Sequence, residues 1–217
     1  MNTRFSAVPI AKNIWWVGAI DWTIRSFHGY STDRGSTYNA YLILDEKPTL
    51  IDTVKAPFHG EMMARISSVI DPADIRYVIS NHSEMDHSGS LPRTIEAVKP
   101  ERVIASTMGK KALSAHFHDI PGIETVRDGD RIRIGEREIT FIETRMLHWP
   151  DSMFSYIAGE RILFSNDAFG MHLASMERFS DELDATVLDH EAKKYYANIL
   201  LPYSDLVTKL FGRVREQ

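Results

Sequence analysis

The chain contains the stretch Asn81-His82-Ser83-Glu84-Met85-Asp86-His87-Ser88-Gly89, in which two imidazoles and two carboxylates fall within six residues. This stretch follows the apolar run Tyr77-Val78-Ile79-Ser80, which is typical of a buried strand. A loop at the end of a strand holds ligand side chains against a rigid scaffold. In extended backbone His82, Glu84 and Asp86 project to the same side, so we expect them to converge on one or two cations. His87 points differently and is a candidate for a second cation or for a hydrogen bond to a ligand.

Two further candidate ligands follow later predicted strands. His148 comes just after the strand that ends near Glu143, and Asp167 follows the second strand of a predicted hairpin. Strand ends within one layer meet at a common edge, which would bring these residues to the first set. The chain has no cysteine, and a carboxylate-rich set without thiols suits iron or manganese. Asp167 is the candidate bridge between two metals about 3.5–4 Å apart.

Other polar residues near these segments have an ordinary structural explanation. Asp86 alone could cap the helix predicted near Ser88. Asp52 ends an apolar run, and we expect it to accept backbone N–H bonds in support of the ligand loops. The remaining histidines outside the early loop are expected to be solvated or hydrogen-bonded: His59, His116, His118, His172 and His190.

The composition indicates one globular domain of 217 residues. The net charge is −5, from 25 basic and 30 acidic side chains, which argues against nucleic acid or an anionic membrane as a partner. The absence of cysteine excludes disulfides, zinc–thiolate sites and iron–sulfur clusters. We see no signal segment and no apolar run of the roughly 20 residues that span a bilayer, so we expect a cytoplasmic protein.

The order of predicted elements favours an α/β sandwich. Residues 38–44 and 49–52 are predicted as a hairpin around Asp45-Glu46-Lys47-Pro48. Gly135-Glu136 and Gly159-Glu160 are predicted as type II′ hairpin turns. Residues 21–36 are polar and aperiodic and are predicted as a long functional loop. Helices are predicted over 61–70, from Ser90 through Val98, over 107–116, over 188–199 and from Ser204 onwards.

The motif H-x-E-x-D-H differs only at Glu84 from H-x-H-x-D-H, the two-metal signature of metallo-β-lactamase-fold hydrolases. A carboxylate there shifts the expected metal from zinc toward iron. The chain as a whole resembles the metallo-β-lactamase-like diiron domain of a flavodiiron protein of the rubredoxin:oxygen oxidoreductase type. The segments that carry this resemblance are Val17-Gly18-Ala19-Ile20-Asp21-Trp22, Phe27-His28-Gly29-Tyr30, Thr37-Tyr38-Asn39-Ala40-Tyr41-Leu42, Asp52-Thr53-Val54-Lys55, His82-x-Glu84-x-Asp86-His87, Leu147-His148-Trp149-Pro150-Asp151-Ser152, Ser165-Asn166-Asp167 and Tyr195-Tyr196-Ala197-Asn198-Ile199.

The resemblance implies a metallo-β-lactamase-like αββα sandwich with two non-haem iron ions at the sheet edge. One iron would be held by His82, Glu84 and His148, and the other by Asp86, with Asp167 bridging. Family members differ on whether the residue matching His87 is a ligand. The family reduces dioxygen to water, nitric oxide to nitrous oxide, or both, with electrons that pass through an FMN in a C-terminal flavodoxin-like domain and usually come from rubredoxin.

The resemblance also implies roles for three residues beside the metals. His28, in the early loop, would face the diiron pocket and donate a hydrogen bond or a proton. Tyr195 is the matching candidate on the late helix, and Trp149 would line or screen the pocket. Ordinary packing is the alternative explanation for these aromatic side chains.

Two features of the family have no counterpart before Gln217: a last histidine ligand and the FMN domain. We therefore expect a shortened chain. If it is the whole protein, it would bind its second iron less tightly and would need electrons from a separate flavoprotein or from the neighbouring subunit of a longer form. A homodimer is expected for the full-length form. Two alternatives stay open, namely a zinc metallohydrolase on the same fold and a catalytically incomplete scaffold.

Overall fold

Short strands and α-helices alternate along the chain in the computed structural model, which describes residues 5–118, 120 and 122–215. The strands are β1 (Val8–Ala11), β2 (Ile14–Trp16), β3 (Ala19–Asp21), β4 (Ser26–Phe27), β5 (Tyr30–Ser31), β6 (Ser36–Tyr38), β7 (Tyr41–Ile43), β8 (Thr49–Ile51), β9 (Tyr77–Ser80), β10 (Arg102–Ser106), β11 (Ile123–Val126), β12 (Arg131–Arg133), β13 (Glu138–Glu143), β14 (Met153–Ile157) and β15 (Ile162–Phe164). The helices are α1 (His59–Ser67), α2 (Met85–Ser88), α3 (Leu91–Val98), α4 (Thr107–His116), α5 (Ala185–Tyr195) and α6 (Ser204–Arg215).

Most strands belong to two sheets. The larger sheet has the order β1-β2-β7-β8-β9-β10-β11, and its strands β8 to β11 run parallel to one another. The smaller sheet is the antiparallel meander β12-β13-β14-β15. Because β8, β9 and β10 are parallel, their carboxyl ends meet at one edge, which is where loops carry ligands in α/β folds.

The central strands of the larger sheet are buried on both faces. Val78 packs with the helices on one side, whereas the next residue, Ile79, faces the smaller sheet on the other. The pair Val103 and Ile104 divides in the same way. This explains why the parallel strands are continuous apolar runs without alternation. Burial of each such aliphatic side chain contributes about 1.5–3 kcal/mol.

Three apolar layers follow from this division. The first lies between the larger sheet and helices α1, α3 and α4, and the second lies between the two sheets. The third lies between the smaller sheet and α6, and it contains Phe154 and Leu210. These layers form the predicted αββα sandwich, with the two sheets packed together and helices on both outer faces. Within the described ranges, every helix falls short of the length and apolar character that a bilayer crossing requires.

The predicted helices are present with some shifted ends. Helix α4 occupies the predicted residues, whereas α1 runs from His59 to Ser67 instead of over the predicted 61–70. Helix α5 begins ahead of the predicted start because the Asp184 carboxylate accepts hydrogen bonds from the amides of Thr186 and Val187. It continues as a π-helical turn over Tyr196–Leu200.

Two predictions for irregular segments are wrong. Residues 21–36 contain the β4–β5 hairpin, whose two-residue strands are too short to show a periodic pattern. The turn after Ala158 is not of type II′, because the positive φ of 58° lies at Arg161 and not at Gly159. Gly135 does have the positive φ expected of it, 140°.

Asp45 joins the two sheets at the end of the sandwich where β8 begins. Its carboxylate accepts hydrogen bonds from the amides of Glu136 and Arg137, both at 3.0 Å, in the β12–β13 turn. It also accepts one at 2.8 Å from the amide of Glu46 in its own turn. A Cβ on Gly135 would overlap this carboxylate, so glycine permits the close approach of the two turns.

We expect Asp45→Ala to lower the free energy of unfolding by about 1–3 kcal/mol, because it removes three hydrogen bonds to turn amides, each of which contributes about 0.5–1.5 kcal/mol. Urea denaturation followed by circular dichroism measures the change. Asp189→Ala is the matched control, since the Asp189 side chain is 62% exposed and pairs with Lys193 on the same helix. Equal midpoints for the two variants would contradict a role for Asp45 in joining the sheets.

Candidate metal centre

The ligand-rich stretch leaves the end of β9 and enters a short helix. His82 and Glu84 lie in the extended segment, and Glu84 has φ −62° and ψ 149°. Asp86 then lies in α2, so the prediction that extended backbone reaches this residue is wrong, and so is the alternative that it caps a helix, since Glu84 is the N-cap. The helical turn is held by Thr53, whose amide and hydroxyl donate to the His87 carbonyl at 2.8 and 2.7 Å. Despite the change of backbone, the Asp86 carboxylate still faces Glu84.

Four predicted ligands converge at the first position. One ligand atom from each of His82, Glu84, His148 and Asp167 lies within 4.8 Å of all the others. His82 Nε2 and His148 Nε2 are both 3.2 Å from Asp167 Oδ2. These imidazole nitrogens lie 3.4 and 3.2 Å from Glu84 Oε2. Such separations match neighbouring ligands that each lie about 2.1 Å from a shared cation.

The remaining predicted ligands lie on the other side of Asp167. His87 Nε2 is 2.9 Å from Asp167 Oδ1 and 3.7 Å from an oxygen of Asp86. Asp86 also belongs to a second convergent set with His28 and Glu84. The two oxygens of Asp167 thus face different ligand groups, which is the arrangement that a bridging carboxylate needs. Whether each of these residues binds metal stays a prediction.

The electrostatics of the pocket favour a cation. Burial alone would lower the pKa of His87, but Asp167 and Asp86 raise it to about 10. Burial would also lower the pKa of His148, but Asp167 and Glu84 raise it to about 9. Burial would raise the pKa of Glu84, yet the imidazoles of His148 and His28 hold it well below its usual range. The pocket therefore stabilises positive charge and ionised carboxylates together.

Several buried atoms of the predicted ligands have no hydrogen-bond partner among the described residues: His82 Nε2, Glu84 Oε2, Asp86 Oδ1 and His87 Nδ1. An unpaired buried polar atom costs about 1–3 kcal/mol, and a metal ion would satisfy such atoms by coordination. The donor set of carboxylates and imidazoles, without a thiol, fits a hard or borderline divalent cation. The residues present therefore fit a metal.

Asp151 is a functional residue that the sequence reasoning missed. Its Oδ2 lies 3.0 Å from His82 Nδ1 and accepts a hydrogen bond at 2.6 Å from the amide of Ser83. This contact turns His82 Nε2 toward Asp167. The signal was an acid three residues after His148, a spacing that becomes meaningful only when the two loops are known to meet. Asp52 accepts a hydrogen bond from the Asn81 amide at 2.7 Å, which agrees with its predicted supporting role, and burial raises its pKa to about 6.

The three predicted catalytic side chains all lie at the pocket. His28 Nε2 is 2.8 Å from Glu84 Oε1. The Trp149 ring is perpendicular to the ring of His82, with centroids 5.3 Å apart. Tyr195 is 2% exposed and lines a cavity of about 330 Å³ together with Asp86 and Asp167, and its hydroxyl has no hydrogen-bond partner among the described residues. Their catalytic roles stay predictions.

His172 was predicted to be an ordinary solvated or hydrogen-bonded side chain. The structure places it in hydrogen bonds, but these lead to the pocket: its Nε2 is 3.1 Å from His28 Nδ1. It is 5% exposed, and burial, followed by the proximity of His28, lowers its pKa to about 4. His116, His118 and His190 are exposed, as predicted, whereas His59 is partly buried.

The comparisons with known proteins agree with this geometry. The family model of the ODP family beta lactamase matches residues 37–215, and the chain belongs to this family. A rubredoxin-oxygen oxidoreductase of Megalodesulfovibrio gigas is 50% identical over 206 residues, which cover 94% of this chain and 51% of that protein. A nitric oxide reductase of Moorella thermoacetica is 46% identical over 212 residues, which cover 96% and 53%.

Solved structures give the same result. The chain superimposes on the rubredoxin oxygen:oxidoreductase from the anaerobe Desulfovibrio gigas with a TM-score of 0.95 and 46% identity, over 97% of this chain and 53% of that one. The flavodiiron protein from Giardia intestinalis gives a TM-score of 0.93 and 38% identity, over 97% and 52%. The predicted relationship to flavodiiron proteins is confirmed. The chain spans about half the length of the relatives it matches.

We expect Asp151→Asn to weaken metal binding by about 10–100-fold, because the amide no longer fixes His82 as a carboxylate does. Competition with a chromophoric chelator measures the affinity. Asp189→Asn, on the exposed face of α5, is the control that removes a carboxylate far from the pocket. Unchanged affinity in Asp151→Asn would mean that His82 is positioned by other contacts.

Proposed function

We propose that this chain is the non-haem diiron domain of an oxidoreductase that reduces dioxygen to water, nitric oxide to nitrous oxide, or both. The observation that carries the proposal is Asp167, whose Oδ2 faces the imidazoles of His82 and His148 and whose Oδ1 faces His87. A buried carboxylate between two ligand groups suits a pair of metals about 3.5–4 Å apart. The names of the relatives, an oxygen oxidoreductase and a nitric oxide reductase, support the same chemistry for this chain.

His82, Glu84 and His148 would hold one iron, Asp86 the other, and Asp167 would bridge them, with His87 as an optional ligand. Bound ferrous iron would supply a binding position for the gas and electrons to reduce it. Both reductions also consume protons. Tyr195 lines the same cavity as Asp86 and Asp167, and its buried hydroxyl would donate a hydrogen bond to a bound gas. Trp149 packs against His82 and screens that ligand from water.

The electron donor follows from the relatives and not from the described residues. The Megalodesulfovibrio gigas protein is named for rubredoxin and oxygen, which supports rubredoxin or a flavoprotein as the donor for this chain. FMN would belong to the part of the full-length relatives that this sequence does not span. We also propose that the full-length form is a homodimer and that the protein is cytoplasmic.

Anaerobic purification followed by elemental analysis tests the metal site, and we expect about two iron ions per chain. Oxygen consumption and nitrous oxide production, measured with photoreduced FMN as the electron donor, test the activity. Asp167→Ala is expected to lose iron and both activities, because it removes the bridge. Asp189→Ala, an exposed acid, is expected to keep them. Absence of iron from the native chain, or activity retained in Asp167→Ala, would refute the proposal.

A zinc metallohydrolase is the second candidate, because the spacing of His82, His148, Glu84 and Asp167 also suits a tetrahedral ion. The residue at position 84 distinguishes the two candidate functions. We expect Glu84→His to shift the bound metal from iron toward zinc when both are offered in equal amounts, since imidazole replaces a hard anionic ligand. Elemental analysis gives the ratio. Zinc in the unmodified chain, with hydrolysis of ester or lactam probes in the absence of a reductant, would favour the hydrolase.

A further inference from the structure

A chain of three hydrogen bonds connects Ser36, in β6, to Glu84 in the metal pocket. It passes through the imidazoles of His172 and His28. The Ser36 hydroxyl lies 2.8 Å from His172 Nδ1, and His172 Nε2 lies 3.1 Å from His28 Nδ1. His28 Nε2 then lies 2.8 Å from Glu84 Oε1. Sequence separations of 136, 144 and 56 residues make each of these contacts a product of the fold.

The donor in each contact can be assigned by working back from Glu84, which is the final acceptor. Glu84 is a carboxylate and only accepts, so His28 donates from Nε2–H. In the tautomer of His28 that carries its proton on Nε2, Nδ1 accepts, so the donor of the 3.1 Å contact is Nε2–H of His172. His172 in turn accepts at Nδ1 from the Ser36 hydroxyl. Each imidazole is held in one tautomer by the partner behind it.

With these donors and acceptors, the two oxygens of the Glu84 carboxylate have different partners. Oε1 is engaged by His28, whereas Oε2 faces His82 and His148 and has no hydrogen-bond partner among the residues that the structure describes. A carboxylate held in this way offers one oxygen to the first metal position. Loss of the bond to His28 would free Glu84 to rotate.

His172 is itself held tightly. Its ring packs against the rings of Tyr195 and Tyr30, with centroids 5.5 and 5.7 Å away. The neighbouring backbone is tied to β6, where the Thr37 hydroxyl donates to the Leu173 carbonyl at 2.7 Å. The low pKa of His172, caused first by burial, agrees with a neutral imidazole.

We propose that His172 is a positioning residue, which fixes His28 as an Nε2–H donor and thereby leaves a single oxygen of Glu84 for the metal. The inference rests on the proposed metal site and adds a residue that binds neither metal nor gas. The neutral, buried His172 acts only through His28. In the competing arrangement, His28 binds a metal through Nε2 and donates a hydrogen bond from Nδ1–H to His172. The convergence of His28, Glu84 and Asp86 is the observation that favours it.

Histidine tautomers can be measured directly in the full chain. Long-range ¹H–¹⁵N spectra of ¹⁵N-histidine-labelled protein separate a protonated Nδ1 from a protonated Nε2, both in the metal-free chain and in the chain loaded with Zn²⁺, which is diamagnetic. The variants are His172→Leu, which removes the donor, and His172→Gln, which keeps an N–H donor for His28. His190→Leu, at an exposed site on α5, is the control.

We expect His28 to be the Nε2–H tautomer in the native chain and in His172→Gln, and to be mixed in His172→Leu. We expect Zn²⁺ to be lost to a chelator about 10-fold faster from His172→Leu than from the native chain, with the Gln variant close to native. A merely structural role would lower the melting temperature of both variants and leave the tautomer of His28 unchanged. Ser36→Ala keeps His172 but removes the donor behind it, and it carries the test if His172→Leu does not fold, with a mixed His172 tautomer as the expected result.

A single Nε2–H tautomer of His28 in every folded variant, with unchanged loss of Zn²⁺, would overturn the inference. So would a native His28 that carries its proton on Nδ1 after zinc binding. Failure of the native chain to bind iron would refute the proposed function alone, because the tautomer in the metal-free chain is measured independently of it.

Discussion

The structure of the metal pocket depends on His82, whose two ring nitrogens face carboxylates from two other loops. Nδ1 is 3.0 Å from Asp151, and Nε2 is 3.2 Å from Asp167. His82 follows β9 of the larger sheet, whereas the two acids flank β14 and β15 of the smaller sheet. Removal of charges from water costs several kcal/mol per ion, and partners that are themselves fixed offset that cost. The ligand set therefore requires that the two sheets meet at a fixed distance.

Asn81, the residue before His82, provides that constraint from the backbone. Its carbonyl accepts from the Met153 amide at 3.0 Å, and its side-chain oxygen accepts from the Ser155 hydroxyl at 2.8 Å. The opposite end of the sandwich is joined by Asp45 and the β12–β13 turn. Polar contacts at both ends thus supplement the non-directional apolar layer between the sheets, which by itself sets no register. A pocket on such a scaffold can place ligand atoms more precisely than a pocket made of loops alone.

The sequence predicted those parts of the fold that depend on neighbours along the chain. The hairpin around residues 45–48, the apolar parallel strands and the convergence of His82, Glu84, His148 and Asp167 were predicted, because each depends on a local pattern or on a position after a strand. The helical turn at Asp86 was not predicted, because it depends on Thr53, which lies 34 residues before His87. His172 and Asp151 were missed for the same reason: an imidazole and a carboxylate gain meaning only from partners that the fold brings to them. Prediction therefore fails where tertiary hydrogen bonds decide the structure and where strands, such as β4 and β5, are too short to show a pattern.

Glu84 is the residue at which fold and chemistry separate. An imidazole in its place would preserve a ligand to the metal but remove one negative charge from a pocket that already contains His82, His148 and Asp167. Each carboxylate that replaces an imidazole lowers the net charge of the occupied site and favours the more oxidised metal, so the same scaffold becomes better suited to electron transfer than to activation of water. The second oxygen of Glu84 also gives His28 an acceptor. On the proposed function, one substitution in a shared motif would thus change the metal, the charge and the hydrogen bonding of the pocket together, while the αββα scaffold stays the same.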